Sequence, residues 1–306
     1  MSASSNIITV SETGKGVYTQ EVHAGKHSYV MDVAPNMGGS DAGPAPYDKL
    51  LSALGSCTSM TMRMYADMKK LPLESASVKL TLEKEGGKDV ITREITLKGD
   101  LDETQKQKLL EIANKCPVHR TLENIPEIDT TAAADAQAAQ PLREVQGKPR
   151  VVAKGGADKG VTVTETRAGK FTQEVKAGKH TFTTDEPVSM GSLDAGPSPY
   201  QELLAALGAC TAMKVRHEAE KQNIPLEHVT VELSHSAEKG DGGKRKDVIA
   251  RKLVLAGDLS PAQTQTLLDA ANDCPLYNTL QNAPEVRTHL AQAPAAPAAK
   301  KRPPAP

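Results

Sequence analysis

Apolar and polar residues alternate along two short runs near the start of the chain, Val17 to Val22 and Lys26 to Asp32. Ala24-Gly25 between them supplies the turn of an antiparallel hairpin. A Gly/Pro-rich loop, Met37 to Pro46, leads into a helix predicted from Tyr47 to Lys69, which must stop before Pro72. From Leu50 to Met62 this helix carries no charge on any side, the pattern of a helix covered all round by other structure. Two more alternating runs follow, Val78 to Glu83 and Val90 to Leu97. A second helix then opens at a capping box, Asp102 with Gln105, and is expected to end at Cys116-Pro117, because the residue before proline is pushed out of the helical region. The order β-β-α-β-β-α describes an α+β module with helices packed on antiparallel sheet.

The whole pattern occurs twice. Asp41-Ala42-Gly43-Pro44 returns as Asp194-Ala195-Gly196-Pro197, 153 residues later, and Tyr47, Leu54-Gly55, Cys57-Thr58 and Arg63 return at the same offset as Tyr200, Leu207-Gly208, Cys210-Thr211 and Arg216. Extra residues around Lys239 to Lys246 lengthen the second copy, so Cys116 corresponds to Cys274 at an offset of 158. A repeat this long is a duplicated domain, not a solenoid unit. The expected layout is domain 1 over residues 10–130, a linker over 131–160, domain 2 over 161–290 and a tail over 291–306. The linker is rich in Ala, Gln, Gly and Lys, and the tail is dominated by Ala and Pro, so neither has the apolar residues to build a core.

Composition narrows the function classes. With 37 basic and 38 acidic residues the chain has no positive surplus to neutralise a phosphate backbone, so nucleic acid is not an expected partner. No run of about 18 apolar residues is present, and the first residues lack the basic start and apolar core of a secretory signal; the expected setting is the cytoplasm, away from membranes. No Gly-rich phosphate loop or Gly-x-Ser-x-Gly elbow occurs, which leaves nucleotide cofactors and serine hydrolysis without support. Four cysteines are too few for a disulfide-stapled scaffold and direct attention to thiol chemistry.

Those cysteines sit on buried faces. Cys57 follows Leu50 and Leu54 along the apolar face of the central helix, and Cys210 follows Leu203 and Leu207 in the same way. Cys116 shares the face of Leu109, Ile112 and Ala113, and Cys274 that of Leu267, Ala270 and Ala271. Two inward cysteines in each copy suggest a cooperating pair. A helix C-terminus disfavours a thiolate, so a position for Cys116 and Cys274 at the end of the second helix makes Cys57 and Cys210 the expected nucleophiles. Their activating cation must come from elsewhere. Arg93 alternates with Ile91, Ile95 and Leu97, and Arg251 with Ile249, Leu253 and Leu255, so each arginine points inward, either as a structural pair or as a cation beside the thiol. Arg63 and Arg216 read as surface or interface pairs, and His27 and His180 as ordinary strand residues. A zinc site begun by Cys116 and His119 is not expected, because Tyr277 replaces the histidine in the second copy.

The segments Asp41-Ala42-Gly43-Pro44-Ala45-Pro46-Tyr47, leading to Leu54-Gly55-Ser56-Cys57-Thr58, and Asn114-Lys115-Cys116-Pro117-Val118-His119 resemble the motifs of the OsmC/Ohr family, named for osmotically inducible protein C and organic hydroperoxide resistance protein. The resemblance extends over residues 11–129 and 164–289. It implies paired six-stranded sheets wrapping two central helices, here as an intrachain pseudo-dimer of tandem OsmC-like modules. It also implies a thiol-dependent peroxidase in which Cys57 and Cys210 attack a small-molecule hydroperoxide and Cys116 and Cys274 resolve the product, with a lipoyl-type or other dithiol as reductant. The family's glutamate after the helix-opening proline is replaced by Tyr47 and Tyr200, and its N-terminal loop arginine has no counterpart, which leaves Arg93 and Arg251 as the expected activating groups. The alternative is a non-catalytic, stress-related module that binds an apolar ligand in the cleft between the copies.

Overall fold

The computed structural model describes residues 7–134, 160–239 and 245–291. Copy 1 contains β1 (Ile8–Glu12), β2 (Gln20–Ala24), β3 (His27–Met31), α1 (Pro46–Lys69), β4 (Leu73–Glu85), β5 (Lys88–Gly99), α2 (Glu103–Ala113), α3 (Pro117–Glu123) and β6 (Glu127–Ala134). Copy 2 repeats the order as β7 (Val161–Glu165), β8 (Gln173–Ala177), β9 (His180–Thr184), α4 (Pro199–Lys221), β10 (His228–Lys239), β11 (Arg245–Ala256), α5 (Pro261–Ala271), α6 (Pro275–Gln281) and β12 (Glu285–Leu290). The fold is the expected α+β pair of modules, and the charge-free segment of α1 is buried all round as its pattern requires.

The two copies exchange strands. One six-stranded sheet runs β3-β2-β1-β10-β11-β6 and the other β12-β5-β4-β7-β8-β9, so each joins the first three strands and the last strand of one copy to the central hairpin of the other. The seams are in register, with Val10 opposite Val231 and Val78 opposite Val163. Alternation along these strands turns Val, Ile and Leu onto the face that covers α1 and α4, which pack against each other between the sheets.

Three features depart from the sequence reading. The sheets are mixed, because β6 and β12 pair in parallel with β11 and β5 of the other copy. Each copy has a first strand, a short helix after the second cysteine and a last strand that the hydrophobic pattern did not separate. Finally, Thr131 to Ala134, expected in the linker, form the end of β6. Residues 135–159 of that linker, and the tail beyond Ala291, lie outside the described residues.

Buried ion pairs stitch the seams. Arg63 is 3% exposed and grips Glu165 of copy 2 at 2.9 and 2.7 Å while also donating to the Leu73 carbonyl, and Arg216 holds Glu12 of copy 1 at 2.7 and 2.6 Å. Both arginines are interface groups, not surface ones. His27 meets Asp194 and His180 meets Asp41, again across the copies.

Helix and sheet are in close contact at the glycines Gly55 and Gly208. A methyl on Gly55 would stand 2.7 Å from Leu80 Cδ1 and 2.8 Å from Val163 Cγ2, and one on Gly208 2.7 Å from both Leu233 Cδ1 and Val10 Cγ2. These neighbours are core residues with nowhere to retreat, so Gly55→Ala and Gly208→Ala are each expected to cost about 1–3 kcal/mol by overpacking, measured by urea denaturation. Unchanged midpoints would mean that the sheet yields at that crossing.

Candidate active site

Cys57 lies two turns into the charge-free part of α1, and its thiol hydrogen-bonds to Cys116 of the segment between α2 and α3. Cys210 and Cys274 form the same contact in copy 2. All four are free and buried; Cys57 is 6% and Cys210 2% exposed, while Cys116 and Cys274 are wholly inaccessible.

Cys116 is not the end of the preceding helix, as the sequence reading had it. It has extended dihedrals and is the N-cap of α3, with Pro117 in the first helical position. Its sulfur accepts the His119 N–H at 3.4 Å and lies 3.6 Å from the Thr58 hydroxyl. The local field is therefore the reverse of the one expected at a helix C-terminus. The same reversal holds at Cys274, which accepts the Tyr277 N–H at 3.4 Å.

Arg93 completes the cluster. Fully buried on β5, it donates to the Thr58 hydroxyl at 2.7 Å, the Ala113 carbonyl at 3.2 Å, the Asn114 side-chain oxygen at 2.5 Å and Thr288 at 2.6 Å. Arg251 repeats the set with Thr211, Ala271, Asn272 and Thr130, and also faces the Tyr277 ring at 5.1 Å. Among the described residues neither guanidinium has a carboxylate within salt-bridge distance. A buried guanidinium cannot shed its proton, so it needs a counter-charge, and the adjacent second cysteine supplies one. Burial works against a Cys116 thiolate, but the Cys57 S–H, Arg93 and the His119 N–H together hold its pKa down at about 7. For Cys274 the same balance, with Arg251 as the cation, gives about 6. Donation to the partner sulfur, reinforced by burial, pushes Cys57 and Cys210 well above the ordinary thiol value. Where a pair has lost one proton, the proton that remains sits on the first cysteine.

Each site borrows from the other copy. Thr288 of β12 reaches Arg93, and Thr130 of β6 reaches Arg251. Tyr200 of copy 2 stands near Cys57, its hydroxyl 2.8 Å from Thr121, and Tyr47 of copy 1 stands near Cys210 and Cys274, its hydroxyl 2.9 Å from Thr279. The tyrosines at the family's glutamate position thus do line a site, but the other copy's. Glu186 of copy 2 also acts electrostatically on Cys57. The threonines, asparagines and Glu186 carried no sequence signal strong enough to single them out. Buried His119 pairs with Glu123 at 2.9 Å, and among the described residues no group of three or more His, Cys, Asp or Glu is placed to hold a metal ion.

The cleft between the copies does not have the lining expected for an apolar ligand. It has a volume of about 770 Å³, and Lys26, His27, Lys49, Lys179 and His180 line it together with Tyr29 and Phe182.

Comparison with known proteins fits this geometry. The model of the family described as OsmC-like protein matches residues 38–131 and 191–289, more than half of the chain and once in each copy. The chain belongs to the OsmC-like protein family. Its two family segments contain all four cysteines as well as Arg93 and Arg251. Among solved structures, an organic hydroperoxide resistance protein of Bacillus subtilis is similar at 25% identity, over 43% of this chain and 96% of that one, with a TM-score of 0.32. An organic hydroperoxide resistance protein OsmC of Legionella pneumophila is similar at 21% identity, over 43% of this chain and 95% of that one, with a TM-score of 0.33. One of Elizabethkingia anophelis is similar at 20% identity, over 44% and 94%, with a TM-score of 0.34. No curated protein matches. No described helix of this OsmC-like chain is long and apolar enough to cross a membrane.

Proposed function

We propose that each cysteine pair is the centre of a thiol-dependent peroxidase that reduces organic hydroperoxides, with the chain acting as an intrachain pseudo-dimer. The observation that carries this reading is the buried arginine, with no carboxylate in salt-bridge distance among the described residues, beside a second cysteine held at about 7 in copy 1 and about 6 in copy 2. A structural core thiol has no need of such a cation.

The more exposed sulfur, Cys57, meets the hydroperoxide. It attacks the distal oxygen; a sulfur–oxygen bond forms as the oxygen–oxygen bond breaks, and the Cys57 proton passes by way of Cys116 to the departing alkoxide, which leaves as alcohol. Cys57 is then a sulfenic acid and Cys116 again a thiolate. Cys116 attacks the Cys57 sulfur, the disulfide forms, and hydroxide departs and takes up a proton to give water. An external dithiol, lipoyl-type or other, restores the pair by exchange. Cys116 is thus base first and resolving nucleophile second. Cys210 and Cys274 follow the same course with Arg251 as the cation.

Peptide mapping under non-reducing conditions, after one equivalent of cumene hydroperoxide per pair, is expected to give the disulfides Cys57–Cys116 and Cys210–Cys274. In Cys116→Ser a dimedone-type reagent is expected to label Cys57. Labelling of Cys116 in Cys57→Ser, with none of Cys57 in the converse variant, would reverse the two roles. Four thiols that stay reduced under peroxide sink the peroxidase reading.

A further inference from the structure

We propose that the two cysteine sites have diverged in substrate class: the Cys57 site takes polar, hydrogen-bonding hydroperoxides, hydrogen peroxide included, and the Cys210 site takes apolar alkyl or aryl hydroperoxides. The proposal rests on the peroxidase reading above. It comes from the residues each copy lends to the other's site.

The shared part of the two surroundings is a tyrosine, a threonine and an aspartate. Near Cys57, the Thr121 hydroxyl lies 2.8 Å from the Tyr200 hydroxyl and 2.9 Å from Asp247. Near Cys210, the Thr279 hydroxyl lies 2.9 Å from the Tyr47 hydroxyl and 2.6 Å from Asp89. Around this common frame the lent residues differ in chemistry.

Glu186 and Val33 are equivalent, 153 residues apart, and their backbones are held alike: the Asp194 N–H donates to the Glu186 carbonyl at 3.1 Å and the Asp41 N–H to the Val33 carbonyl at 3.0 Å. Val33 is buried in the apolar core. Glu186 is half-buried, its carboxyl has no hydrogen-bond partner among the described residues, and it acts on Cys57. Burial raises that carboxyl to about 7, so near neutrality it both donates and accepts hydrogen bonds.

His235 and Leu82 are likewise equivalent and both point inward from the central hairpin. His235 stacks on the Tyr200 ring with centroids 4.2 Å apart and meets Asp247 at 2.9 Å. Leu82 packs against the core. Arg245 adds contacts to Asp247 at 2.8 Å and to the Tyr200 hydroxyl at 3.3 Å, where copy 1 has Gly87 at the equivalent place. Copy 2 thus lends the Cys57 site Glu186, His235 and Arg245, titratable groups whose equivalents in copy 1 are Val33, Leu82 and Gly87. Apolar walls gain from covering an alkyl or aryl body, whereas buried polar groups left unpaired by such a body count against it. Identical subunits in a two-fold dimer must have identical sites; the fused chain is free of that constraint.

The unmodified, fully reduced chain provides the test, because its two pairs compete for the same peroxide. A quarter-equivalent of hydrogen peroxide or of cumene hydroperoxide is added, thiols are quenched by alkylation, and the Cys57–Cys116 and Cys210–Cys274 disulfides are quantified by mass spectrometry. Hydrogen peroxide is expected to favour Cys57–Cys116 and cumene hydroperoxide Cys210–Cys274, so that the ratio of the two disulfides differs at least tenfold between peroxides. Glu186→Val with His235→Leu is expected to bring the two ratios together. A ratio that is the same for both peroxides, or reversed, or one pair that never oxidises, overturns the divergence while leaving a peroxidase. No disulfide at either pair with either peroxide overturns the peroxidase reading itself.

Discussion

Glu202→Leu is expected to destabilise the protein by about 3–5 kcal/mol and to lower its melting temperature by roughly 10 °C. Lys49 of α1 and Glu202 of α4 occupy equivalent positions in the two copies, and they meet where the central helices pack together. Lys49 Nζ stands 2.8 Å from Glu202 Oε1, both side chains are almost wholly buried, and the Ser52 hydroxyl also donates to Glu202. The ammonium further lies 3.6 Å from the centre of the Phe182 ring and 4.3 Å from that of Tyr29. Burial drives both partners toward their neutral forms, lysine down and glutamate up, and each opposes that drift in the other. Removing the carboxylate leaves a buried ammonium compensated by two ring faces and by the electrostatic influence of Asp48. Lys49→Met combined with Glu202→Leu is expected to return to within about 1 kcal/mol of the parent, because an apolar pair of similar volume has no desolvation cost. Urea denaturation of the single and double variants checks both statements. A double variant no more stable than the single would mean that packing, not charge, governs the site.

Arg93→Met is expected to lower thiolate formation at the Cys57–Cys116 pair about 50-fold at pH 7. Cys116, now held at about 7, returns toward the ordinary thiol value near 9, so its ionised fraction at neutrality falls from about one half to about one hundredth. The sign follows from the direction of the shift. A thiolate is present above its pKa and lost below it, so the parent pair loses its charge as pH falls through about 7, and the variant at a pH about two units higher. Thiolate absorbance followed against pH, with the other pair changed to serine, measures the midpoint. Arg251→Met is expected to act alike on Cys274, starting from about 6. Profiles that do not move would make these arginines structural and remove the argument for peroxidase chemistry.

Much of the site was legible in the sequence because it rests on short-range periodicity. Strand alternation turned Arg93 and Arg251 inward, and helical spacing turned Cys57 and Cys210 inward. What periodicity cannot report is which strand lies beside which. The exchange of β1 and β7 between sheets, and with it the arrival of Thr288 at Arg93 and of Tyr200 and Glu186 at Cys57, depends on residues far apart in the sequence, as Val78 and Val163 or Ile8 and Leu233 are. The last strand of copy 1 is hidden for a local reason: Thr130 to Ala133 are small residues without an apolar alternation. Cys116-Pro117 was read as a stop when it is also a start, since proline suits the first position of a helix as well as it ends one. That single ambiguity inverted the expected charge preference of the two cysteines.

Strand exchange also bears on how the chain reaches its native state. Ile8 pairs with Leu233 across most of the sequence, so neither sheet can close until both copies have been synthesised. Such distant pairings make for slow folding, because closure of a long loop precedes any return in contacts. During that interval copy 1 exposes seams that would fit another copy 1 on a neighbouring ribosome. Such a pairing would set Lys49 against Lys49 in a dry interior, and the corresponding pairing of copy 2 would set Glu202 against Glu202. Unlike charges in the native pairing, against like charges in either alternative, therefore favour association of copy 1 with copy 2 over like with like.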